Sequence, residues 1–176
     1  FSVTEDNKYK IISRNQVTQT NLYDKNNVDR DTRLFRNVNS IPVIQLVEVS
    51  NYGQLKGGNY TFYIKLADND YNKTDIVAES GTVSIYHGTI SDVTTIYGAL
   101  LEELTDKSIE LKLSNIDTTF SRVYLYYTRT SSDLNGIKYS KSYEVIKPYD
   151  ILENTITISL NGYEEVKEID EEQLNI

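Results

Sequence analysis

The sequence predicts an all-β protein built from β-sandwich layers, and two observations carry this prediction. Apolar and polar residues alternate with a period of two in several segments of about five to nine residues, as in strands with one buried face. Turn-forming Gly, Asn and Asp residues recur between these segments about every ten residues. Short strands at this spacing are typical of a β-sandwich.

Residues 1–40 precede these segments and are predicted to form an extended N-terminal arm. They are rich in Asn, Gln, Asp and Thr, lack apolar periodicity, and carry seven basic residues against five acidic ones. Weakly apolar segments cannot offset the conformational entropy that is lost on ordering. We therefore expect this arm to be an assembly element that lies outside the fold.

The first strands are predicted between residues 41 and 90. The near-continuous apolar run Ile41–Val49 favours a strand that is covered on both faces. Asn59–Ala67 alternates cleanly, which predicts a half-buried strand, and short strands follow over 76–78 and 81–86. The residues expected on the inner face of the second of these strands are Tyr60, Phe62, Ile64 and Leu66.

A connector with helical spacing follows these strands. Apolar residues recur at i, i+3, i+4 and i+7 from Val93 onward, and we expect a short helix from about Leu100 to Thr105. Gly98 and two neighbouring threonines argue against an earlier start.

Strand patterning resumes after this connector. Arg122–Thr130 alternates, with Val123 on the same face as Leu125 and Tyr127, and Asn135-Gly136 is a strong hairpin signal that joins this strand to 138–147. Two further strands are predicted around Ile109, Leu111 and Leu113 and around Ile156, Ile158 and Leu160. The strongly acidic residues 164–176 are predicted to be a C-terminal tail outside the fold.

Composition excludes several classes of chemistry. The chain has no Cys, which excludes disulfides, iron–sulfur clusters and Cys-based zinc sites, and its single His excludes a multi-His metal site. A net charge of −8 argues against non-specific binding to nucleic acid, and no apolar run is long enough to cross a membrane. Because the sequence opens at Phe1 without an initiator Met, we expect it to be a fragment.

One segment has the ligand spacing of a calcium-binding loop. Asp68, Asp70, Asn72 and Glu79 occupy positions one, three, five and twelve of an EF-hand pattern. Position six, where the sharp turn requires Gly, is Lys73, and the flanking segments have strand patterns. These departures favour an ordinary polar turn, and we predict neither a metal nor a cofactor.

Two further features have a functional and a structural interpretation. His87 follows a strand, but no nucleophile-elbow pattern accompanies it, so a surface or interface position is favoured over catalysis. The 15 Tyr residues could form a carbohydrate-stacking face, or they could divide between the core and a protein interface.

The strand segments also carry a resemblance to a known family. The stretch LKGGNYTFYIKLADNDYNKTDIVAES, followed by SIELKLSNIDTTFSRVYLYYTRT and NTITISLNGYEEVKEIDEEQL, resembles the fibronectin type III-like modules of bacteriophage tail proteins. It is similar to the muzzle or stabilisation proteins of crAss-like, short-tailed phages. The resemblance covers about 41–176, whereas 1–40 match no family that we can name.

The resemblance implies a structural protein of the virion tail, with no enzymatic activity in these modules. It implies tandem fibronectin- or immunoglobulin-like sandwiches, at 41–106 with the connector and at 107–163. The first module is short for a complete sandwich, so it would borrow a strand from 1–40 or from a neighbouring chain. The expected partners are other tail proteins and copies of this chain in a ring, without nucleic acid or membrane contact. The alternative is an extracellular adhesin or glycan-binding module.

Overall fold

A computed structural model describes residues 2–3, 9–10, 38–87, 102–133 and 135–174, and the chain divides into two compact units, Phe1–Asn37 and Val38–Ile176. In the first unit, strand β1 (Ser2–Val3) pairs antiparallel with β2 (Tyr9–Lys10). The division lies within a few residues of the boundary predicted at residue 40. Most of the predicted arm lies outside the described residues, so its extended conformation stays a prediction.

The described part of the second unit consists of strands, turns and one short 3₁₀ helix at Glu171–Leu174. Its strands, in chain order, are β3 Val43–Ser50, β4 Gly58–Ala67, β5 Ala78–Glu79, β6 Val83–Ile85, β7 Ser108–Ser114, β8 Arg122–Ser132, β9 Lys138–Val145, β10 Tyr149–Asp150, β11 Ile156–Leu160 and β12 Val166–Ile169. This composition confirms the all-β prediction.

These strands form two antiparallel sheets. The small sheet has the order β11-β7-β3. The large sheet has the order β12-β9-β8-β4-β5, with β10 also paired to β8 and β6 also paired to β4. The two sheets face each other across one hydrophobic core, as expected for a β-sandwich.

The predicted alternation of the two central strands is confirmed. Pairing of β4 with β8 runs without interruption from Asn59–Thr130 to Ala67–Arg122. The inner face of β4 carries the four predicted residues, and the inner face of β8 carries Val123, Leu125 and Tyr127; all are buried in the core. Small-sheet residues complete this core, among them Ile109, Leu111, Leu113, Ile158 and Leu160.

The predicted division into tandem sandwiches at 41–106 and 107–163 is wrong. Strand β4, from the first predicted module, pairs with β8 from the second, and β3 pairs with β7 in the same way. The physical reason is burial: inner-face residues of both halves, such as Phe62 and Leu125, pack into one shared core. The described residues of Val38–Ile176 therefore form one sandwich.

The predicted exclusion of the acidic tail 164–176 from the fold is also wrong. Strand β12 pairs with β9, and Leu174 is fully buried beside the outer-face aromatics of the large sheet. Lys65 Nζ donates to the Gln173 carbonyl at 3.0 Å, which fixes the same segment. Ile169 and Leu174 cover tyrosines that would otherwise face water, and this burial outweighs the repulsion between neighbouring acids.

The helix predicted at 100–105 is wrong over its described part, residues 102–105. Leu104 forms a bridge with Lys56, and Thr105 N–H donates to the Leu55 carbonyl at 2.8 Å. This extended backbone uses hydrogen bonds to a neighbouring loop, so tertiary pairing overrides the helical spacing. The earlier part of the pattern, from Val93, lies outside the described residues.

A buried carboxylate fastens the chain that enters β3. Asp117, which is 4% exposed, accepts hydrogen bonds from Asn39 N–H at 2.7 Å and from the N–H and hydroxyl of Thr119 at 3.0 and 2.7 Å. Burial alone would raise the pKa of Asp117, but these hydrogen bonds outweigh it and hold the pKa below its ordinary 3.8.

Truncation of the buried tail residue should destabilise the whole sandwich. We expect Leu174→Ala to lower the free energy of unfolding by about 2–5 kcal/mol, because it leaves a cavity under the outer-face tyrosines. The matched control is Leu152→Ala, since Leu152 is 89% exposed and should change stability little. Urea denaturation measures both, and equal effects would mean that the tail does not contribute to the fold.

The Asp117 cluster should give stability a specific pH dependence. A group with a lowered native pKa stabilises the fold above its unfolded pKa and loses this contribution as pH falls through its native pKa. We expect Asp117→Asn to cost about 1–3 kcal/mol at pH 7, and this deficit should shrink below about pH 4. Asp150→Asn, at an exposed position, is the control. If the stability lost in Asp117→Asn does not change with pH, the hydrogen-bonded, ionised Asp117 is not its cause.

Candidate functional site

The outer side of strand β3, which we call the β3 edge, is an unpaired sheet edge. Strand β3 is the end strand of the small sheet and pairs on one side with β7. No strand among the described residues pairs with its other side. A row of backbone N–H and C=O groups at such an edge can accept another strand.

The β3 edge is unusually apolar for an exposed strand. Val43, Leu46, Val47 and Val49 are each 40–50% exposed, and Ile44 is the one hydrophobic residue of the strand that is buried. The sequence predicted a strand covered on both faces here, and that prediction is wrong. A β-branched run is typical of a covered strand, but no described residue supplies the cover.

Charge on the β3 edge is acidic near its C-terminal end. Glu48 lies directly opposite Glu110 of β7, and neither carboxylate forms an ion pair with a described residue. Lys112 lies opposite Gln45, so it is not the direct cross-strand partner of either acid. A β-bulge between Leu46 and Glu48 separates the two halves of the strand. Like charges at directly opposed positions destabilise a strand pair.

A second feature, which we call the end cleft, has a volume of about 130 Å³ and lies where three loops meet. The Gly53 N–H donates to the Asp106 carbonyl at 3.1 Å, and the Gln54 N–H donates to the Asn161 carbonyl at 2.7 Å. The cleft is lined by Gln54, Leu55, Lys56, Tyr60, Leu104, Tyr127, Arg129, Tyr143, Leu160, Gly162, Glu164 and Val166.

Two glycines allow these loops to approach so closely. A Cβ at Gly53 would lie 2.3 Å from the Lys107 carbonyl oxygen. A Cβ at Gly162 would lie 2.7 Å from the Gln54 carbonyl oxygen, and Gly162 has a φ of +89°. Glycine is required at both positions because backbone, which cannot move aside like a side chain, occupies the space.

The end cleft combines neutral phenols with a buried cation. The Arg129 guanidinium donates to the Gly57 carbonyl at 3.0 Å and to Glu102 Oε1 at 3.1 Å. Hydrogen bonds from Lys56 and Arg129 hold the pKa of Glu102 below its ordinary value. Burial raises the pKa of Tyr60 and of Tyr127, so both rings stay protonated. The Tyr60 and Tyr127 rings pack against each other, with centroids 5.4 Å apart, so they form the floor of the cleft.

The residues of the candidate calcium loop form a turn that closes on itself. Asp68 Oδ1 accepts the N–H groups of Asp70 and Asn72, each at 2.9 Å, and Asp68 Oδ2 accepts from Asn72 Nδ2 at 3.1 Å. Glu79 lies in β5, opposite Tyr63. The described residues include no group of three or more acidic or His side chains placed to hold a metal ion.

Lys73, at the position where the calcium loop requires Gly, is part of an aromatic cluster. Its ammonium lies 3.9 Å from the centroid of the Tyr124 ring, 3.0 Å from the Tyr126 hydroxyl and 2.8 Å from Glu144 Oε1. These contacts combine cation–π and ionic attraction on the outer face of the large sheet. They give Lys73 a structural role.

His87 lies at the surface beside a carboxylate. Its Nε2 is 3.0 Å from Glu103 Oε1, and both side chains are about 40% exposed. The tyrosines divide between buried and exposed positions: Tyr60, Tyr63, Tyr124, Tyr126 and Tyr127 are buried, whereas Tyr52, Tyr71, Tyr86, Tyr139 and Tyr163 are exposed. One exposed ring, Tyr71, stacks under the Arg122 guanidinium at 4.2 Å.

Sequence reasoning did not identify the end cleft, although one signal pointed to it. Arg129 follows Val123, Leu125 and Tyr127 at the spacing of two that places residues on the inner face of β8. A charged residue in this register predicts a buried cation with partners nearby. For β3 the local signal is Pro42, directly before the strand, which is compatible with a strand start as well as with an edge.

Comparison with known proteins does not identify a family for this chain. The sequence matches no protein-family model and no curated protein. Within the described residues, no helix has the length and apolar character that a membrane span requires.

Calcium should have little effect on the stability of the chain. The Asp68 carboxylate is already occupied by hydrogen bonds within its own turn, so binding an ion there would break them. We expect the melting temperature to change by less than about 2 °C between 1 mM EDTA and 5 mM calcium. A rise of several degrees, abolished by Asp70→Asn, would contradict this interpretation.

Proposed function

We propose that this chain is a structural, non-enzymatic component of a bacteriophage virion tail that acts through protein–protein contacts. The observation that carries the proposal is the β3 edge, a strand with one unpaired side and exposed aliphatic side chains. Edges of this kind are normally blunted in proteins that act alone, because they promote association. The resemblance of the strand segments to tail muzzle proteins supports the same role.

The sandwich has properties that suit a part of a larger assembly. The central strands β4 and β8 of its large sheet are covered on both faces, and its net charge of −8 favours solubility of the free chain. We propose that its partners are other tail proteins and further copies of the chain in a ring, at a site in the virion without contact to nucleic acid or membrane. Contact with another tail protein would form by addition of a strand of that protein at the β3 edge.

Two measurements test this function. Mass spectrometry of purified particles should detect peptides of the chain in the virion. In addition, Val47→Lys, which places a charge on the β3 edge, should reduce incorporation into tails at least tenfold while leaving the fold intact. Leu152→Lys, at an exposed position before β11, should incorporate normally. Equal incorporation of the two variants would contradict the proposal.

The end cleft favours one alternative function, which is binding of a glycan. Its lining places the half-buried Tyr143 ring beside the half-buried Glu164, and an aromatic ring next to a polar group is a feature of sugar sites. A glycan array distinguishes the two functions. Specific binding that is lost in Tyr143→Ala, together with absence of the chain from virions, would favour a glycan-binding module.

A further inference from the structure

The side chains of the β3 edge place chemical requirements on any strand that pairs with it. Leu46 and Val49 lie directly opposite Leu111 and Ile109, which are fully buried, so both project toward the core side of the small sheet. An incoming strand would continue this face. Its residues at the matching alternate positions must therefore be apolar, since they would cover Leu46 and Val49.

The other face of β3 calls for a basic residue in the incoming strand. Glu48 and Glu110 lie side by side across the β3–β7 pair. A third strand would place one of its side chains directly beside Glu48, at the cross-strand distance where opposite charges attract and like charges repel. A Lys or Arg there would relieve the repulsion between the two acids, whereas an Asp or Glu would add to it.

A second β3 strand cannot meet this requirement. Residues 43–50, with the sequence VIQLVEVS, contain neither Lys nor Arg. The bulge between Leu46 and Glu48 restricts pairing further, because only a strand that follows its kink can pair with both halves of β3.

We propose that the β3 edge binds an extended segment of a partner protein in which apolar and basic residues alternate, with a basic residue beside Glu48. This inference rests on the proposed role of the β3 edge in assembly and adds the chemistry of the partner. The backbone supplies affinity through strand hydrogen bonds, and Glu48 with Glu110 supplies the preference for a basic strand.

Two end-blocked peptides of eight residues test the proposal with the chain as it stands. One alternates Val with Lys, and the other alternates Val with Glu. At about 150 mM salt, where long-range charge effects are screened, the Lys peptide should bind about three- to tenfold more tightly. Hydrogen exchange should slow at amides of β3 when the Lys peptide binds.

A charge reversal separates local recognition from general attraction to an acidic protein. Glu48→Lys should abolish the preference for the Lys peptide or reverse it. Glu153→Lys makes the same change in net charge at an exposed loop position before β11 and should keep the preference. Melting curves of both variants check that the fold is intact.

Three outcomes would overturn the inference: equal effects of the two reversals, no binding of either peptide at millimolar concentration, or pairing of the chain with itself through β3. These outcomes leave the proposed function testable by itself. If the chain is present in virions and Val47→Lys blocks incorporation, assembly through β3 holds although the partner chemistry is wrong. If the chain is absent from virions, the tail function fails whatever the peptides do.

Discussion

The pairing of β4 with β8 is the constraint on which the rest of the structure depends. The two strands are paired from Asn59–Thr130 to Ala67–Arg122, and side chains on both of their faces are buried. Their inner faces meet the small sheet, and their outer tyrosines are covered by Ile169, Leu174 and the Lys73 loop. Because β4 and β8 come from distant parts of the sequence, this pairing joins both halves of the chain into one sandwich and leaves β3 at an edge.

Local pattern predicted the strands well and their partners poorly. Period-two alternation identified the inner faces of β4 and β8, because each strand must bury one apolar face wherever it pairs. The hairpin at Asn135-Gly136 was confirmed for a similar reason, since its geometry is local. Pairing of β4 with β8 depends on long-range burial, which short windows do not report. This is why two modules were predicted where one sandwich forms.

Because short sequence windows do not report long-range burial, the predictions of which residues are exposed were also wrong in two places. Val43–Ser50 has the composition of a covered strand, yet its position at the end of the small sheet leaves most of it exposed. In the acidic tail, charge density concealed Ile169 and Leu174, two apolar residues that the outer face requires. For the candidate site, sequence indicated the residue types of the β3 edge. It could not indicate that Glu48 would face Glu110, because register is a property of the pair.

Native-state hydrogen exchange along the chain tests the central claim most directly, which is that one sandwich carries an open strand at β3. We predict that amides of β4 and β8 exchange only through global unfolding, at one shared free energy, and that β3 contains the least protected amides of the long strands. Separate free energies for 41–106 and 107–163, or protection of β3 equal to that of β7, would contradict it.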